Sequence, residues 1–463
     1  MIEKMEIPNH QNELRKSIRN TKIVFYGKET INALNNFPIS GQKPDRTYIL
    51  SLVLVKKAAA IVNHRLNLLS EKKSKPIIDA CNQILKGKHH DQFVVDPYQA
   101  GAGTSHNMNI NEVIAYLSQK NKGELNIHPN DDINMSQSTN DVIPTAIRLT
   151  VLMLLPDLLK NLKITINLFT AKSREFNRII KSGRTHLQDA LPVTLGQEFA
   201  SYGKTIKNDV IRVITAGQKL RYIGIGGTGV GTGINTHPKY HLLMVKELSR
   251  LTSFNLKSSG NLLESANNTS DFLEFSGSLK ILSQSFIRIG NDLRLLSSGP
   301  YSGLAEINLP KVQAGSSIMP GKVNPSIIEM LTMVCFQVIG FDQAILFASQ
   351  SGQLELNVWF PLICYNLIQQ LKLLTNAIQI FNQKCLSDIA ANKKMCQLSF
   401  EKSSGVAAIL NPYLGYDFVS QLVDESIAKN ITLRNLLEKK KILPYKTIQK
   451  IFSAKKLTKP NLK

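Results

Sequence analysis

Residues 315–324 read GSSIMPGKVN: two serines, a lysine and an asparagine on a frame of glycine and proline, with no carboxylate and no histidine. A lysine ammonium and an asparagine amide, here Lys322 and Asn324, can pin a carboxylate, and the glycines let such a loop close. Ser316 suits the role of a base only if its alkoxide is held by backbone N–H groups and positive charge, because ionising a hydroxyl near neutral pH requires a very large pKa shift. The rival is a serine nucleophile, but GxSxG is absent and no strand-like run leads into the loop.

Three more islands share this chemistry. Residues 96–113, DPYQAGAGTSHNMNINEV, place Thr104 and Ser105 after a glycine hinge, with Asn107 and Asn109 following. Residues 134–145, NMSQSTNDVIPT, offer Ser138, Thr139 and Asn140 just before a long helical run, where the helix terminus adds positive potential. Residues 182–198, SGRTHLQDALPVTLGQE, set Thr185 and His186 beside Arg184 and Asp189. A histidine near its ordinary pKa carries a proton or holds a carboxylate as imidazolium. Helix capping explains any one of these loops. Four of them, without paired catalytic carboxylates, point to a small, doubly acidic substrate held by neutral donors and to proton abstraction alpha to a carboxylate.

Other chemistries find less support. In GIGGTGVGTG (224–233), Gly224, Gly226 and Gly229 satisfy GxGxxG, but a helical run precedes them, so a linker between helices is the better reading than a dinucleotide cradle. His89 and His90 are adjacent and no HExxH or carboxylate–histidine cluster occurs, so no metal site is expected. Five cysteines without a CxxC pair read as reduced, buried thiols. The net charge of +22 invites nucleic acid, but the basic runs are scattered and lack interleaved aromatics. No stretch is an uninterrupted apolar membrane span, and the N-terminus has no secretory signal; the expectation is a cytoplasmic protein without nucleic-acid or membrane partners.

The elements that must carry these loops are helices. Leu155, Leu158, Leu162, Ile166, Phe169 and Phe176 recur at steps of three and four within a run from about Asp141 to Ile180. Asn140 is placed to cap that run, Pro144 falls in its first turn, and Pro156 predicts a kink. Further helical runs cover about Leu195–Tyr222, the segment after Pro238, about Asn268–Leu296, Ser326–Phe347 and Pro361–Leu386. Strand-like alternation is scarce, so the fold class is all-α, a long-helix bundle at about 141–395 between smaller parts at 1–140 and 396–463.

The islands GAGTSHNMNINEV, QSTNDVIPTA, GRTHLQDALPVTLGQE, GTGINTHP and AGSSIMPGKVNP resemble, in order, the motifs of the aspartase/fumarase superfamily, and the likeness runs from FYGKETINALNNFPISG to ILNPYLGYD. The resemblance implies the aspartase/fumarase-like all-α fold, a homotetramer whose active sites are shared between three subunits, and no cofactor or metal. It implies that Ser316 removes the Cβ proton and that Lys322 and Asn324 hold the substrate carboxylate. Thr104, Ser105, Ser138, Thr139 and Thr185 would add further hydrogen bonds, with Ser317 joining on closure. Asn140 and His186 would lie near the leaving group. FYG, DQFVVDPYQAGAGTS, NDLRLLSSGP, EINLP and SGQLELNV are similar to aspartate ammonia-lyases. IHPNDDIN, with His128, Asn130 and Asp131, is similar to a second anion site of class II fumarases, and GTGINTHPKY leans the same way. The reading favours elimination of ammonia from aspartate, with fumarate hydration as the alternative. Tyr301, in SGPYSGL, stands where both groups usually have arginine.

Overall fold

The computed structural model describes residues 23–99, 101–120, 125–453 and 457–458. Its helices of seven residues or more are, in chain order, α1 (Lys28–Asn36), α2 (Arg46–Arg65), α3 (Glu71–Leu85), α4 (Thr104–Gln119), α5 (Thr139–Glu175), α6 (Leu195–Lys219), α7 (Tyr240–Thr252), α8 (Ser270–Leu296), α9 (Ser326–Gln350) and α10 (Phe360–Lys384). Four more follow towards the C-terminus: α11 (Lys393–Lys402), α12 (Tyr416–Ala428), α13 (Leu433–Lys439) and α14 (Tyr445–Ile451). The all-α expectation holds. The chain groups into two compact units. The first takes the residues up to Thr150 with Tyr222–Asn268 and Gly352–Leu362; the second takes Val151–Arg221, Thr269–Ser351 and everything from Ile363.

In the first unit α2 is the central helix. Asp45 caps it by accepting the Thr47 N–H, and Val53, Val55, Ala58, Ala59 and Val62 bury several of its faces. It packs against α3, α4 and α7. In the second unit α8 packs along α6 and α9. Buried amides lock α10 into the same bundle. Gln370 Nε2 donates to Ser276 Oγ of α8 at 3.0 Å and to the Val338 carbonyl of α9 at 3.1 Å. Asn382 on α10 accepts from Thr165 Oγ1 of α5 and donates to the Asn161 carbonyl. Such bonds specify register, because an unmet amide in an apolar core costs about 1–3 kcal/mol.

Helix α5 differs from its expected form at its start. Ser138, not Asn140, sits at its start: the Ser138 hydroxyl accepts the Asn140 N–H at 3.3 Å, and Asp141 accepts the Ser138 N–H at 2.9 Å. The helix runs unbroken from Thr139 to Glu175 through Pro144 and Pro156. Proline removes one N–H, and the burial of Leu155 and Leu158 on either side of Pro156 keeps the chain helical.

Thr185 and His186 lie between helices α5 and α6, as the helical runs imply, but not in a plain loop. They belong to an antiparallel hairpin of β1 (Ile180–Thr185) and β2 (Gln188–Thr194), with Thr185 opposite Gln188 and a bulge at Ser182/Gly183. The two-residue turn is His186–Leu187, with φ of 55° and 60°. Positive φ at both central positions gives the twist a two-residue hairpin needs, although such turns normally use Asn and Gly. Leucine there is uncommon and strained. Period-two alternation was hidden by Gly183 and Pro192, so the hairpin was not legible in advance.

Glu306, fully buried, anchors this hairpin from below its tip. Arg184 grips it bidentately at 2.9 and 3.1 Å, Lys181 Nζ lies 3.0 Å away and Ser399 Oγ of α11 donates at 3.0 Å. Lys181 also pairs with Glu198 at 2.7 Å. Removing one partner of a buried ionic cluster leaves the others uncompensated, at a cost of about 3–5 kcal/mol. Glu306→Gln is therefore expected to lower stability by about that amount in denaturant titration. Lys429→Ala, which breaks a surface pair with Glu425, should cost only a small fraction of that amount; equal losses for both variants would contradict the anchoring role.

Candidate active site

The Gly315–Asn324 loop lies between the strand-like pair Ile307–Asn308 and α9. Ser316 is half-buried, whereas Ser317, Ile318, Met319 and Lys322 are exposed. The Ser316 hydroxyl oxygen accepts two backbone N–H bonds, from Ile318 at 3.2 Å and Met319 at 3.1 Å. That is the donor arrangement an alkoxide needs, since preorganised amides aimed at an oxygen favour its anionic form. Asn324 uses one amide proton to close the loop on the Gly315 carbonyl at 2.6 Å, leaving its second for a ligand. A Cβ at Gly315 would lie 2.1 Å from the Lys322 carbonyl oxygen, so the loop can double back only on glycine. Lys322 has no carboxylate partner among the described residues and is free to meet an anion.

In the first unit the islands at 104–109 and 134–140 are joined. Asn107 Nδ2 of α4 donates to Asn134 Oδ1 at 3.1 Å and to Thr139 Oγ1 at 3.4 Å. With a lone pair of Thr139 occupied, its own O–H proton points elsewhere as a donor. The Ser138 hydroxyl likewise accepts from Asn140 and keeps its proton to give. Asn140 Nδ2 donates to the Gly229 carbonyl at 2.7 Å. Thr104 is exposed and spends its proton on the Gly101 carbonyl at 2.6 Å, so in this conformation it presents lone pairs rather than a donor. The Ser105 N–H is held by Gln99 Oε1 at 3.2 Å. His106 is buried, its pKa pushed down to about 4 chiefly by desolvation, so it stays neutral.

Asp141, which the sequence reading did not single out, organises this region. One carboxylate oxygen takes the Ser138 N–H; the other takes the N–H groups of Gly226 at 2.8 Å and Thr228 at 3.0 Å. Burial raises its pKa, and the three amides and the Lys56 charge work against that rise. The same bonds dispose of the dinucleotide reading of GIGGTGVGTG. Two amides a pyrophosphate would need are spent on Asp141, and α7 starts only at Tyr240. A two-residue strand, Tyr222–Ile223, separates the preceding helix from the glycines.

At the hairpin tip Thr185 and His186 are exposed. No hydrogen bond or ion pair links them to the Gly315–Asn324 loop among the described residues. His128 caps the turn Pro129–Ile133 with Nδ1, accepting the N–H groups of Asn130 at 3.3 Å and Asp131 at 3.2 Å. Its Nδ1 is thus used as an acceptor, with the Asp131 carboxylate 3.4 Å away. Tyr301 is fully exposed. The five cysteines are buried, and none is in a disulfide. Burial pushes the thiols of Cys81, Cys335, Cys385 and Cys396 up to about 12, so these four are inert.

Comparison with known proteins adds the family. A lyase family matches residues 18–340. The chain is similar to an aspartate ammonia-lyase of Bacillus subtilis, 43% identical over 95% of this chain and 94% of the relative, and to one of Helicobacter pylori, 42% identical over 95% of each. Among solved structures it is similar to a fumarate lyase:delta crystallin protein of Brucella melitensis, with a TM-score of 0.90, 43% identity and coverage of 93% and 95%. A class II fumarase of Schistosoma mansoni gives a TM-score of 0.88 at 33% identity over 93% and 95%. With its motif loops, its helical architecture and near full-length identity of this order, the chain belongs to the aspartase/fumarase superfamily of lyases, alongside the aspartate ammonia-lyases.

Proposed function

We propose that this protein is an aspartate ammonia-lyase, a carbon–nitrogen lyase that eliminates ammonia from L-aspartate to give fumarate, reversibly. The Ser316 oxygen held by two backbone amides carries the mechanism. As an alkoxide, Ser316 takes a proton from Cβ, and the electron pair moves into the adjacent carboxylate to form an aci-carboxylate dianion. That dianion collapses to the double bond as the C–N bond breaks. Ammonia leaves and recovers the proton taken by Ser316, so aspartate becomes fumarate and ammonium.

Binding falls to the donors described above. Lys322 and the second amide proton of Asn324 hold a carboxylate, with Ser317 joining as the loop closes. Thr139 and Ser138 offer O–H donors to carboxylate oxygens, and Thr104, Ser105 and Thr185 complete the set once the loops rearrange around substrate. Asn140 and His186 attend the leaving group. The surplus positive charge of the chain raises the local concentration of a dicarboxylate. The buried thiols, none of them in a disulfide, suit a reducing compartment, and we place the protein in the cytoplasm.

A homotetramer, with each active site shared between three subunits, fits the bundle surface. Helix α9 carries only Glu329 and Asp342 as charged residues, and Asp342 is buried and paired with Lys280. Met333, Phe336, Gly340, Gln343 and Phe347 are exposed along it at alternating steps of three and four, the spacing of a helix–helix seam. By length and composition alone α5 and α9 could each cross a membrane. For α5, 72% of the apolar window is buried in the fold, as in a core helix; for α9 it is 33%, and the seam spacing fits a partner helix.

A paired assay separates the two family reactions: absorbance at the fumarate band should grow with aspartate and stay flat with malate, and growth with malate alone would make the protein a fumarase. Ser316→Ala is expected to lose turnover by orders of magnitude while keeping its circular dichroism; surviving turnover would remove Ser316 from the base role. Light scattering should give a tetramer, and Phe336→Glu should yield smaller, inactive species, whereas a fully active monomer would contradict shared sites.

A further inference from the structure

Lys56 sits on α2 in the apolar run LSLVLVKKAAAIV and is completely buried. A buried lysine has a cost, which an unbranched apolar side chain would avoid, so its contacts bear on why it is there. Its ammonium donates to Asn134 Oδ1 at 2.8 Å and to Gln137 Oε1 at 3.0 Å. Both acceptors lie in the loop that leads into Ser138, Thr139 and Asn140. The same loop is held from α2 by Asn63, which donates to the Met135 carbonyl at 3.0 Å and accepts from Ser136. From α3, Lys73 holds Asp132 at 2.8 Å.

An ammonium has protons and no lone pair, so it dictates direction. The oxygens of Asn134 and Gln137 must face Lys56. Asn134 Oδ1 then accepts again, and the group that meets it, Asn107, must turn its NH2 towards it. The second proton of that NH2 meets Thr139 Oγ1. Each step follows from the one before, and the last leaves the Thr139 hydroxyl as an outward donor, which is the polarity a carboxylate requires.

We infer that Lys56 is a positioning residue for the lyase reaction: through Asn134 and Asn107 its ammonium sets the hydrogen-bond direction of the loop, so that Thr139 presents a proton to a substrate carboxylate. This rests on the lyase reading of the site. The charged state of Lys56 is itself finely held. Desolvation pushes its pKa down to about 7, against the pull of Asp141 at the start of α5; Cys81 on α3, whose thiol stays protonated at neutral pH, brings no charge to the site. Lys57, beside Cys81, is the other cation close to this cluster. A neutral amine gains a lone pair and no longer enforces the direction of the chain. A bound dianion favours the ammonium, so binding takes up a proton, and affinity should fall as pH rises past about 7.

The test is a double-mutant cycle read by calorimetry with succinate, a dicarboxylate that cannot react. Lys56→Met and Thr139→Val should each weaken succinate at pH 6.5 by about tenfold, and the double variant should be no weaker than Thr139→Val alone. In turnover, Lys56→Met should raise KM for aspartate more than it lowers kcat. Additive losses, as a merely structural lysine would give, overturn the inference. Should Lys56→Met fail to fold, the unaltered chain and Thr139→Val are compared between pH 6 and 8.5. Affinity of the unaltered chain should fall more steeply with pH than that of Thr139→Val, and parallel profiles overturn the inference equally. If the unaltered chain neither converts aspartate nor binds succinate, the lyase reading falls and the role of Lys56 with it. Aspartate turnover with an additive cycle removes Lys56 alone.

Discussion

A charge taken out of water must be met by donors or by an opposite charge, or the fold does not keep it there. Three side chains put that constraint at the centre of this protein. Asp141 is answered by the amides of Ser138, Gly226 and Thr228, which fixes both the start of the longest helix and the glycine-rich loop beside it. Lys56 is answered by two amide oxygens of the 134–140 loop. Glu306 is answered by Lys181, Arg184 and Ser399, which fixes the hairpin that carries Thr185 and His186. In each case the ion lies within hydrogen-bonding reach of a loop that the chemistry uses, or of the element that carries it.

This arrangement divides labour between two kinds of polar group. The ionised groups are buried and spend their bonds on the protein. The groups offered to the substrate are mostly neutral, with Lys322 the exposed cation among them. Neutral donors oriented by buried ions suit a reaction whose intermediate carries more negative charge than its substrate. The donors need not reorient as charge develops, and preorganisation of this kind is where electrostatic catalysis gains most. Ser316 follows the same logic at the scale of one turn, with its oxygen supplied with two amides by its own loop.

Much of the fold was legible in the sequence because long amphipathic helices write their period directly into it. The apolar positions of α5 and the extents of α8, α9 and α10 came within a few residues of those observed. The β1–β2 hairpin was not legible: Gly183, the bulge and Pro192 blur its alternation, and its turn uses His186 and Leu187 where a sequence signal would be Asn-Gly. Lys56 left a trace that went unused. In a run as apolar as LSLVLVKKAAAIV, a lysine three and four residues from Leu52, Val53, Ala59 and Ala60 must face the core.

By itself the sequence determined the residue types of the chemistry: the glycine-framed Ser316 loop, the hydroxyl and amide islands, and a helical scaffold to carry them. Types and spacing along the chain suffice for that, because a helix start, a glycine hinge and a period of three to four are local properties. Which hydroxyl keeps its proton was decided only in three dimensions. Thr104 spends its proton on Gly101, whereas Thr139 keeps its own because Asn107, thirty-two positions away, donates to it. Hydrogen-bond direction depends on which distant groups the fold brings up as donors, and no local pattern records that.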